Sequence, residues 1–130
     1  LMVAMDADNL ARFASVARNL EMKPVVPVAL EDLADPSKVS DWIENKHMLA
    51  FGLRPKTRTD PTVDILVQPP VSFEDAYARR VLADVAGLMV PTAAIEDIIR
   101  MKSGTGRQKD EADILALRRL LQVREDNGKR

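Results

Sequence analysis

The chain contains no cysteine, so disulfides and cysteine-based zinc sites are excluded from the outset. No apolar run is long enough to span a bilayer, and the start lacks the basic and long apolar regions of a secretory signal. Aromatic residues are scarce at 4%: Phe13, Trp42, Phe51, Phe73 and Tyr77 lie scattered and read as core residues, not as a stacking platform for bases. With 19 basic against 20 acidic side chains, no overall field draws the protein to nucleic acid or an anionic membrane. The one histidine, His47, has no cysteine, serine or second histidine arranged to work with it, and reads as a helix-end residue. No Ser-His-Asp, Walker or dinucleotide motif is present, and Gly104-Thr105-Gly106 is too short for a phosphate loop and follows no strand.

What is present suffices for a packed core. Hydrophobic residues make up 46% of 130 positions, enough for one domain and too few for two large ones. Cytoplasmic residence is the default expectation. The opening Leu1-Met2-Val3-Ala4-Met5 is already apolar and strand-like, which leads us to expect a start inside a larger domain. Asp6-Ala7-Asp8-Asn9 supplies N-cap chemistry, and Leu10, Phe13, Ala14, Ala17 and Leu20 recur at helical spacing, predicting a helix from about Asn9 to Leu20. Val25 to Val28, interrupted by Pro27, reads as an edge strand or extended loop. Asp35-Pro36 starts a short helix carrying Val39, Trp42, Ile43 and Lys46. Met48 to Leu53 reads as a strand, and residues 54–61 as a loop.

Thr62 to Val67 is the clearest strand, with Val63, Ile65 and Val67 facing one way and Asp64 and Leu66 the other. Ser72 caps a short helix through Tyr77. Arg80 to Val85 and Leu88 to Val90 form two strands about Ala86-Gly87. Pro91-Thr92 opens a helix bearing Ile95, Ile98, Ile99 and Lys102 on one side, with Glu96 and Asp97 suiting its dipole. A last helix runs from about Gln108 to Val123, and residues 124–130 are expected to fray. The expected fold is α+β: a mixed sheet flanked by helices, with a C-terminal helical pair, in a domain over 1–123.

Two places invite chemistry. An aspartate inside an apolar strand costs several kcal/mol if buried alone, so Asp64 must face water, pair with a cation or bind metal. From Arg100 to Lys109, four cations surround a flexible turn between two helices. Asp110 and Asp113 follow it on the stripe of Leu117, Leu120 and Leu121, so Asp113 points inward and needs a partner, with Lys102 or Arg107 in reach. Two readings stand: an ion-paired helical corner, or a place where Lys102 and Arg107 meet phosphate oxygens.

Asp64-Ile65-Leu66-Val67, Val90-Pro91-Thr92, Ile95-Glu96-Asp97-Ile98-Ile99, Met101-Lys102, Arg107, Lys109-Asp110 and Asp113-Ile114 together resemble the second half of a minimal nucleotidyltransferase domain, of the DNA-polymerase-β-like superfamily. The resemblance covers roughly residues 1–122 and is strongest over 61–122. It implies a mixed sheet with three metal-binding carboxylates and Mg²⁺ as cofactor, transferring a nucleotidyl group from a nucleoside triphosphate to an acceptor hydroxyl. Asp64 matches the third carboxylate, catalytic and metal-binding. Lys102, Arg107 and Lys109 match basic positions that would hold the nucleotide's phosphates, while Asp110 and Asp113 form structural ion pairs. The chain departs from the family at its start. No Gly-Gly or Gly-Ser precedes a strand, and no Asp-x-Asp pair stands upstream of the apolar residues. Asp6-Ala7-Asp8 follows them instead and leads into a helix, as N-cap material does. One carboxylate cannot hold two Mg²⁺, so this chain is expected to be inactive alone. The alternative is a degenerate module, non-catalytic, that binds nucleotide or a protein, such as one half of a toxin–antitoxin-type pair. A homodimer covering an exposed sheet edge is a further expected partner arrangement.

Overall fold

A computed structural model describes residues 1–129. It contains five α-helices and two small antiparallel sheets, an α+β chain. Contacts divide it at Pro69-Pro70 into two compact units, one spanning Leu1–Pro69 and the other from Pro70 onward. The sequence reading placed no boundary there. The expected mixed sheet is replaced by two sheets whose paired strands are all antiparallel.

The first unit begins with α1, Ala7–Asn19. Asp6 caps it, its carboxylate accepting from the Asn9 amide at 2.9 Å. Leu10, Ala14 and Ala17 are its buried stripe. The helix stops in a Schellman turn: Glu21 takes φ of 52° with its amide donating to Arg18, and the Met22 amide donates back to Ala17. A two-residue strand β1 follows, Lys23–Pro24. Of the two readings of Val25 to Val28, edge strand or extended loop, the structure has the loop, with the strand just before it. Pro27 offers no amide to a ladder, and pairing extends only as far as the Val25 amide, which donates to Gly52 O.

A 3₁₀ turn over Leu30–Ala34 buries Leu30 and Leu33. No helical period announced it in the sequence. Helix α2, Pro36–Lys46, begins where Asp35-Pro36 foretold: Asp35 accepts from the Ser37 amide at 3.0 Å and from the Lys38 amide at 3.4 Å. His47 ends it in the left-handed region at φ 52°. Strands β2, Ala50–Arg54, and β3, Val63–Leu66, complete a sheet of order β1-β2-β3. Phe51, Leu53 and Ile65 are fully buried on one face and join Leu10, Leu33 and Trp42 in a single core. Trp42 stacks on Phe51 at 5.5 Å. Burying a side chain such as Phe51 contributes roughly 2–3 kcal/mol.

The second unit holds α3, Phe73–Ala78, capped by Ser72, then the hairpin β4, Val81–Val85, and β5, Leu88–Thr92. Ala86 and Gly87 take positive φ, the geometry of a tight primed turn, and Asp84 accepts from the Gly87 amide at 2.8 Å. Pro91 and Thr92 lie in β5, so they do not open a helix. Helix α4, Ile95–Lys102, starts after Ala94 instead. Pro91 sits in a two-stranded sheet where a missing donor is tolerated. Helix α5 spans Gln108–Gly128, well past the expected end at Val123. The frayed tail expected over 124–130 is helical to Gly128, and position 130 lies outside the described residues. A polar composition does not stop a helix, since each further residue adds a backbone bond until a breaker such as Gly128 is met. None of α5 is buried, and this unit has no core comparable to the first. Tyr77, expected in a core, is 44% exposed, stacked on Phe73 with the Arg80 guanidinium 4.0 Å over its ring.

No helix among the described residues is long and apolar enough to cross a membrane.

Candidate functional site

Strand alternation decides which side chains the first sheet offers. Phe51 and Leu53 on β2, with Val63 and Ile65 on β3, point to the core, so Gly52, Arg54 and Asp64 point the other way. Gly52 is paired directly with Asp64. A Cβ at position 52 would stand 3.2 Å from Asp64 Oδ1 and 3.2 Å from Val25 Cγ2. The bare backbone of Gly52 thus leaves the room that the carboxylate occupies. Asp64 is exposed, and among the described residues its carboxylate takes neither ion pair nor hydrogen bond.

Beside Asp64, the far edge of β3 is not wholly open. The Leu1 amino group donates to Asp64 O at 2.6 Å, and the Leu66 amide donates to Leu1 O at 3.0 Å. That exchange is a parallel pair with Ile65 opposite Leu1. The strand expected over Leu1 to Met5 is reduced to this single contact. Beyond it the chain bends away, Asn9 Nδ2 donates to Ala4 O, and Asp6 caps α1.

A metal needs several oxygen ligands in fixed geometry. Among the described residues no group of three or more His, Cys, Asp or Glu side chains is placed to hold one. Asp64 alone does not fit the two-cation site implied by the resemblance. Asp6 is a helix cap, as its position after the apolar residues indicated.

The basic turn lies in the second unit. The Lys102 ammonium donates to Asp113 at 2.9 Å and to Asp110 at 3.4 Å. Thr105 Oγ1 donates to Asp110 at 2.7 Å, and Arg107 approaches the same carboxylate at 3.2 Å. The bond to Asp113 holds the Lys102 pKa above its ordinary value. The Thr105 hydroxyl, joined by Lys102 and Arg107, holds Asp110 below its own. Lys102 and Arg107 therefore meet carboxylates, and α4 is tied to α5 through a corner of ion pairs. Phosphate oxygens would have to displace these partners. Lys109 is exposed and has no recorded partner among the described residues.

One charged centre escaped the sequence reading. Asp97 is completely buried and receives two bonds from the Arg79 guanidinium, 3.0 Å from Nε and 2.8 Å from Nη2. Arg100 stands 3.7 Å away. The Arg79 bonds keep the Asp97 carboxyl below the usual range, against the penalty of burial. The signal available was spacing: Asp97 falls three residues after Ala94, which is also buried, and not on the Ile95–Ile98–Lys102 side.

A cleft of about 230 Å³ in the first unit is lined by Met5, Leu10, Leu33, Val39, Ile43 and others. It is apolar, with Ser40 its one hydroxyl, and smaller than most ligand pockets.

Compared with protein-family models, curated proteins and solved structures, the chain matches none.

Proposed function

We propose that this chain is a nucleotidyltransferase-like domain that contributes one carboxylate, Asp64, to a site completed by ligands from an added strand. The observation carrying this reading is Asp64 itself: exposed, unpaired, and seated over Gly52 on the sheet face away from the core. Facing water and held by no cation or amide of the first unit, the carboxylate is free to meet a ligand. The reaction class is transfer of a nucleotidyl group from a nucleoside triphosphate to an acceptor hydroxyl, with Mg²⁺ as the cofactor of the completed site.

The chain's own donors do not suffice for that cofactor, so the chain by itself is expected to show no transfer. In a protein carrying this domain with the site complete, Asp64→Asn is expected to lower transfer of labelled nucleotide by roughly a hundredfold or more, about 2.7 kcal/mol of barrier. Unchanged transfer in that variant would discard the reading. The same lack of donors favours a second reading, a non-catalytic binding module. Transfer by any protein containing this domain, lost on Asp64→Asn, would exclude it.

A further inference from the structure

The face that presents Asp64 also presents two cations set against each other. Lys23 on β1 is paired directly with Arg54 on β2. Paired residues share a face, and Arg54 lies two residues from Gly52, so Lys23, Arg54, Gly52 and Asp64 all project from the same side of the sheet. Like charges directly opposite on neighbouring strands, with Cβ atoms about 5 Å apart, destabilise a sheet. Both side chains are exposed, and among the described residues neither is in an ion pair. Lys56, Lys38 and Arg18 of this unit meet Glu21 at 2.5 Å, Asp32 at 2.6 Å and Glu31, while Arg12, Lys46 and Arg58 stand without an ion pair among the described residues; what distinguishes Lys23 and Arg54 is that they face each other directly across two strands. Glu21, two positions from Lys23, is taken up by Lys56 and does not relieve the pair.

Arg54 is diagonal to Asp64 across the β2–β3 pair, a separation of about 7–8 Å along the backbone. Next to them Gly52 adds no side chain, and the Val25 side chain lies against its backbone. A ligand lying flat on this face would meet two cations at one end and a carboxylate at the other.

We infer that Lys23 and Arg54 form an oxyanion site for a phosphate chain, placed beside Asp64 on the open face of the first sheet. Arg54 supplies a planar fork suited to two oxygens of one phosphoryl group, and Lys23 supplies a compact charge. The ligand class is a linear polyphosphate, free or as the tail of a nucleoside triphosphate. This inference rests on the proposed function for its ligand, and it assigns the phosphate-holding role to Lys23 and Arg54 in place of the carboxylate-bound Lys102 and Arg107. The role of Lys23 as a mere guard of an edge strand makes a different prediction, since a guard has no reason to bind anions.

The test is calorimetric titration of the whole chain with inorganic tripolyphosphate and, separately, with a nucleoside triphosphate. Both are run without divalent metal, at about 0.15 M ionic strength, where the screening length is about 8 Å. Saturable binding is expected, weakened about tenfold or more by Lys23→Gln or Arg54→Gln. Arg54→Lys should retain part of it, and Lys46→Gln, on α2 and not on the sheet, should leave it unchanged. Asp64→Asn should tighten it, because a repelling charge is removed. Both Gln variants should also melt slightly higher than wild type, as the cross-strand repulsion is relieved. Equal binding by the wild type and the two Gln variants, or no binding by the wild type, would overturn the inference. Binding of both ligands alike places recognition in the phosphate chain, as inferred; binding only of the nucleoside triphosphate overturns it. Because these titrations omit metal and need no turnover, their failure is separate from a failure of Asp64→Asn to affect transfer.

Discussion

Phe51 and Asp64 lie on facing strands of one sheet, one with no exposure and the other open to solvent, and the difference follows from alternation alone. Phe51→Ala removes a ring packed against Trp42 and is expected to destabilise the chain by about 3–5 kcal/mol. Urea denaturation followed by Trp42 fluorescence measures it, and a change below about 1 kcal/mol would contradict the core described above. The same residue scale shows how far the sequence could be read. Val63, Asp64 and Ile65 announced their faces through a period of two, because strand geometry is local. Asp35-Pro36 and Asp6 announced helix starts, because capping is local. Asp97 did not announce its burial. Its partner Arg79 is 18 residues away, and no local rule pairs two residues at that distance.

At the scale of elements, the Arg79–Asp97 bond joins the end of α3 to the first turn of α4 and closes the stem of the β4–β5 hairpin between them. Hairpin strands with so few buried side chains depend on such a stem. The sign of the pH effect is fixed by the depressed Asp97 pKa. The bond's full contribution is present above the unfolded value of about 3.9, and it is lost as pH falls through the lower folded value. Amide hydrogen exchange in β4 and β5 is therefore expected to accelerate relative to β2 and β3 as pH is lowered below about 4, after correction for intrinsic rates. Parallel behaviour of the two sheets would refute this. Element ends were the least legible feature. The helix α5 overran its expected end because nothing in Arg124 to Asn127 breaks a helix, and the short β1 at Lys23–Pro24 was not foreseen, Pro27 leaving Val25 to Val28 as an extended loop. The mixed sheet implied by the resemblance reduces to one parallel contact, that of Leu1 with β3.

For the whole molecule, the asymmetry between the units matters most. The apolar core gathers α1, the 3₁₀ turn, α2 and the inner faces of β2 and β3, all within Leu1–Pro69. From Pro70 onward, Val71, Ala76 and Ala94 are the buried apolar side chains among the described residues. A fragment ending at Pro69 is expected to fold alone and melt cooperatively. The complementary fragment should show helix from α5 but no cooperative transition, since helices need packing to be stable. Circular dichroism melts of the two fragments decide it: a non-cooperative first fragment would sink the expectation. The candidate site was legible to the extent that it depends on Asp64 within one strand. Its cationic neighbours were not, because Lys23 and Arg54 are brought opposite each other by a register that no local pattern encodes.

The stacked Trp42–Phe51 pair has a practical consequence. Trp42 is the chain's one indole, and it sits in the first unit. Intrinsic emission excited at the red edge therefore originates within the first sixty-nine residues. A dye, or an isotope label on the far side of Pro70, is needed to watch the hairpin and the two helices that follow it.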